Sequence, residues 1–214
     1  MSDGDQQQSS SRSIKGRLQD GVQNTVFRDK GLLDPEAVID EDRIVGRDEQ
    51  LEDIITYLRP ALQGTRPPNM LLYGPSGTGK SLIINAVAQQ VLDIATSQGD
   101  RFGIIKLNCQ RIKSHDRAIF RLAETVAAEA DVETGVPESG VSTDRKLNRL
   151  YELINAHFDF VLIILDEIDL LVGRQRDTNG EPAYSKLLYQ LSRGSKLGRI
   201  ESHISVAALT NDPR

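Results

Sequence analysis

Gly74-Pro75-Ser76-Gly77-Thr78-Gly79-Lys80-Ser81 fits G-x-x-x-x-G-K-[ST], the phosphate-binding loop. An apolar run, Met70-Leu71-Leu72-Tyr73, precedes it, and a helical pattern from Leu82 to Leu92 follows. The motif requires that strand–loop–helix context. Glycines let backbone N–H groups curl around phosphates, and the start of the following helix adds positive potential there. In this pattern Lys80 reaches the β- and γ-phosphates of a nucleotide, and the Ser81 hydroxyl ligates Mg²⁺. Gly74, Pro75, Ser76, Gly77, Thr78 and Gly79 form the cradle. The bland alternative is a glycine-rich turn with an incidental lysine.

Working outward, Phe160-Val161-Leu162-Ile163-Ile164-Leu165 is unbroken apolar and runs into Asp166-Glu167-Ile168-Asp169. Such a run reads as a strand covered on both faces. Ligands of parallel sheets gather beyond the carboxyl ends of the strands. Asp166 is therefore the candidate support for Mg²⁺ and its waters. Glu167 is the candidate base acting on an attacking water. The other reading is an acidic cap on a buried strand. Asn211 closes a last apolar stretch, Ala207-Ala208-Leu209-Thr210. It is either a polar group facing the γ-phosphate or a turn residue before Asp212-Pro213.

The remaining elements follow from periodicity. Leu51, Ile54, Ile55, Leu58 and Leu62 share one helix face beginning near Asp48, and Pro60 should kink or shorten its last turn. Gly103 to Leu107 and Ile204 to Leu209 are further strands. Helices are expected from about Asp116 to Ala130, from about Asp144 to His157, and around Tyr184 to Leu191. Strands alternating with helices predict an α/β fold, a three-layer αβα sandwich around a parallel sheet. Residues 1–22, rich in Ser, Gln, Asp and Gly, read as a disordered tail. Residues 23–68 read as a linker and helix, and 69–214 as the nucleotide-binding core.

Composition bounds the rest. The chain has 214 residues, enough for one α/β domain. No apolar run reaches transmembrane length, and the polar start is no signal peptide, so no membrane partner is expected. Cys109 is the single cysteine, which rules out an internal disulfide and fits a cytoplasmic location. His115, His157 and His203 lack metal-ligand spacing. The net charge is −5, so global charge does not advertise nucleic acid. Locally, Lys106, Arg111, Lys113, Arg117 and Arg121 face a single acid, Asp116. That patch is either a solvated helix face or a surface for phosphate backbones.

Phosphate loop, Asp-Glu box and terminal Asn occur in the order of the AAA+ ATPases. Phe27-Arg28-Asp29-Lys30, Leu32-Leu33, Ile44-Val45-Gly46-Arg47-Asp48-Glu49-Gln50-Leu51, Leu62-Gln63-Gly64, Leu107-Asn108-Cys109 and Ser142-Thr143-Asp144 narrow the choice. Over about residues 25–214 the chain resembles the archaeal replication initiators related to origin-recognition complex subunit one and cell-division-control protein six. The resemblance implies an ATP/ADP switch with Mg²⁺ in origin recognition and helicase loading. It implies Asn211 as the sensor beside the γ-phosphate, and Ile44 and Val45 near the adenine ring. Double-stranded origin DNA, a replicative helicase and other initiator subunits are the implied partners, with a basic insertion near Lys106–Arg121 touching DNA. In that family a fifth strand, a helical lid with a second sensor arginine and a winged-helix domain follow the sensor strand. The sequence ends at Arg214, before any of them, so the expectation is an AAA+ base truncated before the lid, with weak turnover. The implied sheet order places the fifth strand beside the phosphate-loop strand, leaving that edge open here. Rival readings are another P-loop ATPase or kinase, and a non-catalytic interaction module.

Overall fold

A computed structural model describes residues 46–172, 181–194 and 198–211. The expected tail, the linker blocks before Gly46, Ile44, Val45 and Asp212-Pro213 lie outside the described residues.

Helix α1, Asp48–Leu58, carries Asp48 and Glu49 in its first turn, where they complement the helix dipole. It buries Leu51, Ile54 and Leu58. The α-helix ends earlier than the apolar pattern: Pro60 falls in a 3-10 turn, Arg59–Gln63, closed by Gly64 in the left-handed region. Leu62 still packs against the core from that turn. Strand β1, Met70–Tyr73, leads into the phosphate loop and α2, Lys80–Gln98. α2 runs almost two turns beyond Leu92. It stops at Gly99 (φ 87°), where Gly99 N–H donates to Thr96 and Asp100 N–H donates to Ala95. That pairing satisfies carbonyls left open at a helix end.

Strand β2 is Phe102–Asn108, followed by a 3-10 turn, Cys109–Arg111, and α3, His115–Glu129. α4 spans Thr143–His157, β3 spans Phe160–Asp166, and a 3-10 turn covers Ile168–Leu170. α5, Ala183–Arg193, and β4, His203–Thr210, complete the described elements. Ser114 and Ser142 cap α3 and α4 by accepting N–H groups from Arg117 and Arg145.

The four strands are parallel in the order β1-β4-β3-β2. Side-chain alternation splits the core in two. Val161, Ile163 and Leu165 pack with α3, α4 and α5, while Phe160, Leu162 and Ile164 pack with α1 and α2. The result is the predicted three-layer sandwich. Gly103 has a local cause: a Cβ there would lie 2.7 Å from the ring of buried Phe158. Lys146, 1% exposed, binds α4 to α3 through Asp116 at 2.7 Å. Among the described residues β1 pairs with β4 alone, and its Leu71 and Tyr73 are 58% and 67% exposed. Among the described residues no helix is long and apolar enough to cross a membrane.

Candidate nucleotide-binding site

The parallel register brings Tyr73, Asn108, Asp166 and Thr210 to the same end of the sheet. The chain leaves β1 there, and Gly74 N–H still donates to Thr210 O at 3.3 Å. The loop then turns back on itself, with Thr78 Oγ1 donating to Pro75 O at 2.9 Å. Gly77 and Gly79 sit at φ 78° and 84°, where a Cβ would strain the backbone. Gly79 is also the residue from which α2 starts.

Two side chains at the start of α2 reach across to other strands. Lys80 Nζ donates to Gly74 O at 2.8 Å, Pro75 O at 3.0 Å and Asn211 Oδ1 at 2.9 Å. Ser81 Oγ donates to Asp166 Oδ2 at 2.7 Å. Lys80 and Asn211 lie 131 residues apart in sequence, and Ser81 and Asp166 lie 85 apart. The fold therefore assembles Lys80, Ser81, Asp166 and Asn211 into one hydrogen-bonded cluster.

Asp166 also accepts the Glu167 N–H through Oδ1 at 2.9 Å. Glu167 stands at φ 52°, ψ 45°, a left-handed conformation held by a residue with a side chain. The acidic cluster is felt by Cys109. Burial first, then the charges of Asp166, Asp169 and Glu167, push its thiol up to about 12. It is a core residue, not a nucleophile.

A hydroxyl and a carboxylate are hard oxygen donors, and Mg²⁺ characteristically takes one or two such protein ligands while keeping waters and phosphate oxygens. Ser81 and Asp166 fit that pattern. Among the described residues no group of three or more His, Cys, Asp or Glu forms a metal cage of its own. Beside the loop lies a cleft of about 480 Å³, lined in part by Arg47, Asp53, Tyr57, Tyr73, Pro75 and Lys80. Sequence reading missed the α1 contribution to this cleft: Tyr57 lies off the apolar face and carries no motif. It also gave Asp169 no role, although its Oδ1 accepts the Asn211 N–H at 3.2 Å.

The basic patch is less free than its composition implied. Arg117 pairs with Glu138 at 3.1 Å and Arg121 with Glu124, while Lys106, Arg111 and Lys113 are exposed.

A parallel sheet with a phosphate loop after one edge strand and a carboxylate-bearing neighbour at Ser81 defines a P-loop nucleotide-binding protein. The AAA ATPase domain family matches residues 43–202. The chain is 60% identical over 197 residues to ORC1-type DNA replication protein 5 of Halobacterium salinarum, covering 92% of this chain and 46% of that one. It is similar to the Aeropyrum pernix ORC1 protein solved in complex with DNA, with TM-score 0.70 and 29% identity over 87% of this chain and 44% of that one. The Aeropyrum pernix ORC2 protein, solved as ADPNP–ADP complexes, shares the fold at TM-score 0.65 and 19% identity, over 87% of this chain and 46% of that one. The chain belongs to the AAA ATPase domain family, and among its relatives it is similar to archaeal ORC1-type DNA replication proteins. It spans about half the length of the curated relatives it matches most strongly.

Proposed function

We propose that the chain binds ATP and ADP with Mg²⁺ where Lys80, Ser81 and Asp166 meet, and serves as the nucleotide switch of a replication initiator. The observation that carries this reading is the Ser81–Asp166 bond at 2.7 Å beside the Lys80–Asn211 bond at 2.9 Å. In it, two strand ends and the phosphate loop converge on one point. The core is assigned to residues 69–214, with 1–22 as tail and 23–68 as linker and helix.

Backbone N–H groups of the loop beyond Pro75 cradle the phosphates, and Lys80 neutralises the outer ones. Ser81 and Asp166 hold the metal, which when bound spreads the charge of the phosphate oxygens. Glu167 takes a proton from the attacking water, and Asn211 contacts the terminal phosphate. Ile44 and Val45 are assigned to the adenine end. Turnover is Mg-dependent and slow for this chain assayed by itself, since a partner's arginine contributes about 10³–10⁵ in rate to related P-loop proteins. Double-stranded origin DNA is the proposed partner of Lys106, Arg111 and Lys113, supported by the DNA complex of the Aeropyrum relative. A replicative helicase and other initiator subunits are the proposed protein partners.

Isothermal calorimetry with Mg²⁺ tests the site. Lys80→Ala should weaken ATP and ADP binding by about tenfold or more, the loss of a charge-assisted contact. Affinity left intact in that variant overturns the assignment.

A further inference from the structure

We infer that Asp169 is a positioning residue for Asn211, and through it for the group that meets the terminal phosphate; this rests on the nucleotide reading above. The ladders explain why such a residue is needed. β4 pairs with β3 as far as Ala208, opposite Leu165, and with β1 as far as Thr210, opposite Tyr73. Asn211 lies beyond both. Its backbone N–H therefore has no strand to donate to, and Asp169 Oδ1 takes it at 3.2 Å. A carboxylate acceptor makes that bond charge-assisted.

The turn that supplies Asp169 is itself fixed. Leu170 N–H donates to Glu167 O and Leu171 N–H to Ile168 O, each at 3.0 Å. Ile168 and Leu171 anchor it in the core at 4% and 0% exposure. One short turn thus begins with Asp166 and the left-handed Glu167, and ends by clamping the backbone of Asn211. From there the Asn211 side chain reaches Lys80 at 2.9 Å. The backbones that carry the water-activating carboxylate and the phosphate-reading amide are thus held from one short segment, by Asp166 and Asp169. Without the Asp169 bond, Asn211 becomes a frayed strand end, and its amide loses a defined position over the loop.

The test compares ATP and ADP affinities of the full chain with Mg²⁺ by calorimetry. Asp169→Ala should lower the ratio of ATP to ADP affinity by about tenfold. It should leave ADP binding within about twofold, matching Asn211→Ala. Asp169→Asn keeps an oxygen acceptor and should retain the wild-type ratio. The double variant Asp169→Ala/Asn211→Ala should be no worse than Asn211→Ala. If Asp169→Ala does not fold, Asp169→Glu, which displaces the carboxylate by one methylene, is read in the same way. The inference is overturned if Asp169→Ala keeps the ratio while Asn211→Ala lowers it. It is also overturned if both nucleotides weaken equally without rescue by Asn, or if Asn211→Ala leaves the ratio unchanged. Wild-type chain that takes up neither nucleotide instead removes the proposed function itself, before any substitution is made.

Discussion

Glu167 combines a candidate catalytic carboxylate with a backbone that such residues avoid. A left-handed conformation costs an L-residue about 1–2 kcal/mol, and Glu167 adopts it at φ 52°. Asp166 holds it there by accepting its N–H, so the strain is imposed by the end of β3 and the turn that follows. Glu167→Gly should relieve that strain and stabilise the fold by up to about 1 kcal/mol, whereas Glu167→Ala removes the same charge and keeps the strain. Urea midpoints of the two variants should differ in that direction. Equal midpoints would show that the backbone at this position carries no penalty. Both variants should lose whatever hydrolysis the chain performs. Lys80, Ser81, Asp166 and Asn211 could be quoted from the sequence because each belonged to a motif with its own chemistry, and the fold brings these four together. Asp169 did not stand out, since its role depends on where two ladders end, which is a property of register rather than of residue type.

Elements were legible where packing imposes a simple pattern. β3 is covered on both faces, so its apolar run is unbroken and its limits were plain. α2 extends past Leu92 through Asp93, Thr96 and Ser97, whose polarity hid two further turns, although Gly99 marked the stop. The apolar spacing of α1 continues to Leu62, and Pro60, which cannot donate to the helix, shortens its last turn into a 3-10 turn as expected.

The contact between α3 and α5 also carries a pH dependence. His115 Nε2 lies 2.6 Å from Gln190 Oε1. Burial holds the imidazole below its ordinary 6.5, helped by Lys186 and opposed by the Gln190 bond, Asp116 and Asp144. The unfolded chain therefore binds this proton more readily than the folded one. Stability is full above pH 6.5 and declines as pH falls from there through the lower folded value. His115→Gln should flatten that decline, read as denaturant midpoints from about pH 8 to about pH 5. An unchanged slope would place the acid sensitivity elsewhere.

Across the whole molecule, an acidic chain of net charge −5 carries a small basic outcrop at Lys106, Arg111 and Lys113. Phosphate contacts by such residues give affinity without sequence readout and a steep salt dependence. Reversing Arg111 and Lys113 to Glu should weaken duplex DNA binding and lower its salt slope by about two. Identical binding curves at low salt would leave the outcrop as ordinary surface. The other large-scale feature of the surface is β1, which among the described residues has a strand partner on one edge and leaves Leu71 and Tyr73 exposed on one face.

Cys109 supplies the molecule with its own clock. Its sulfur is fully buried and its thiol holds its proton at neutral pH, so it cannot attack an aromatic disulfide reagent until the surrounding core opens. The rate of colour release then counts openings of the native state, with no label to introduce and no background from other sulfhydryls. A nucleotide that prefers the closed form should slow that release in proportion to its occupancy. One spectrophotometer trace would thus weigh ligand affinity without following catalysis at all.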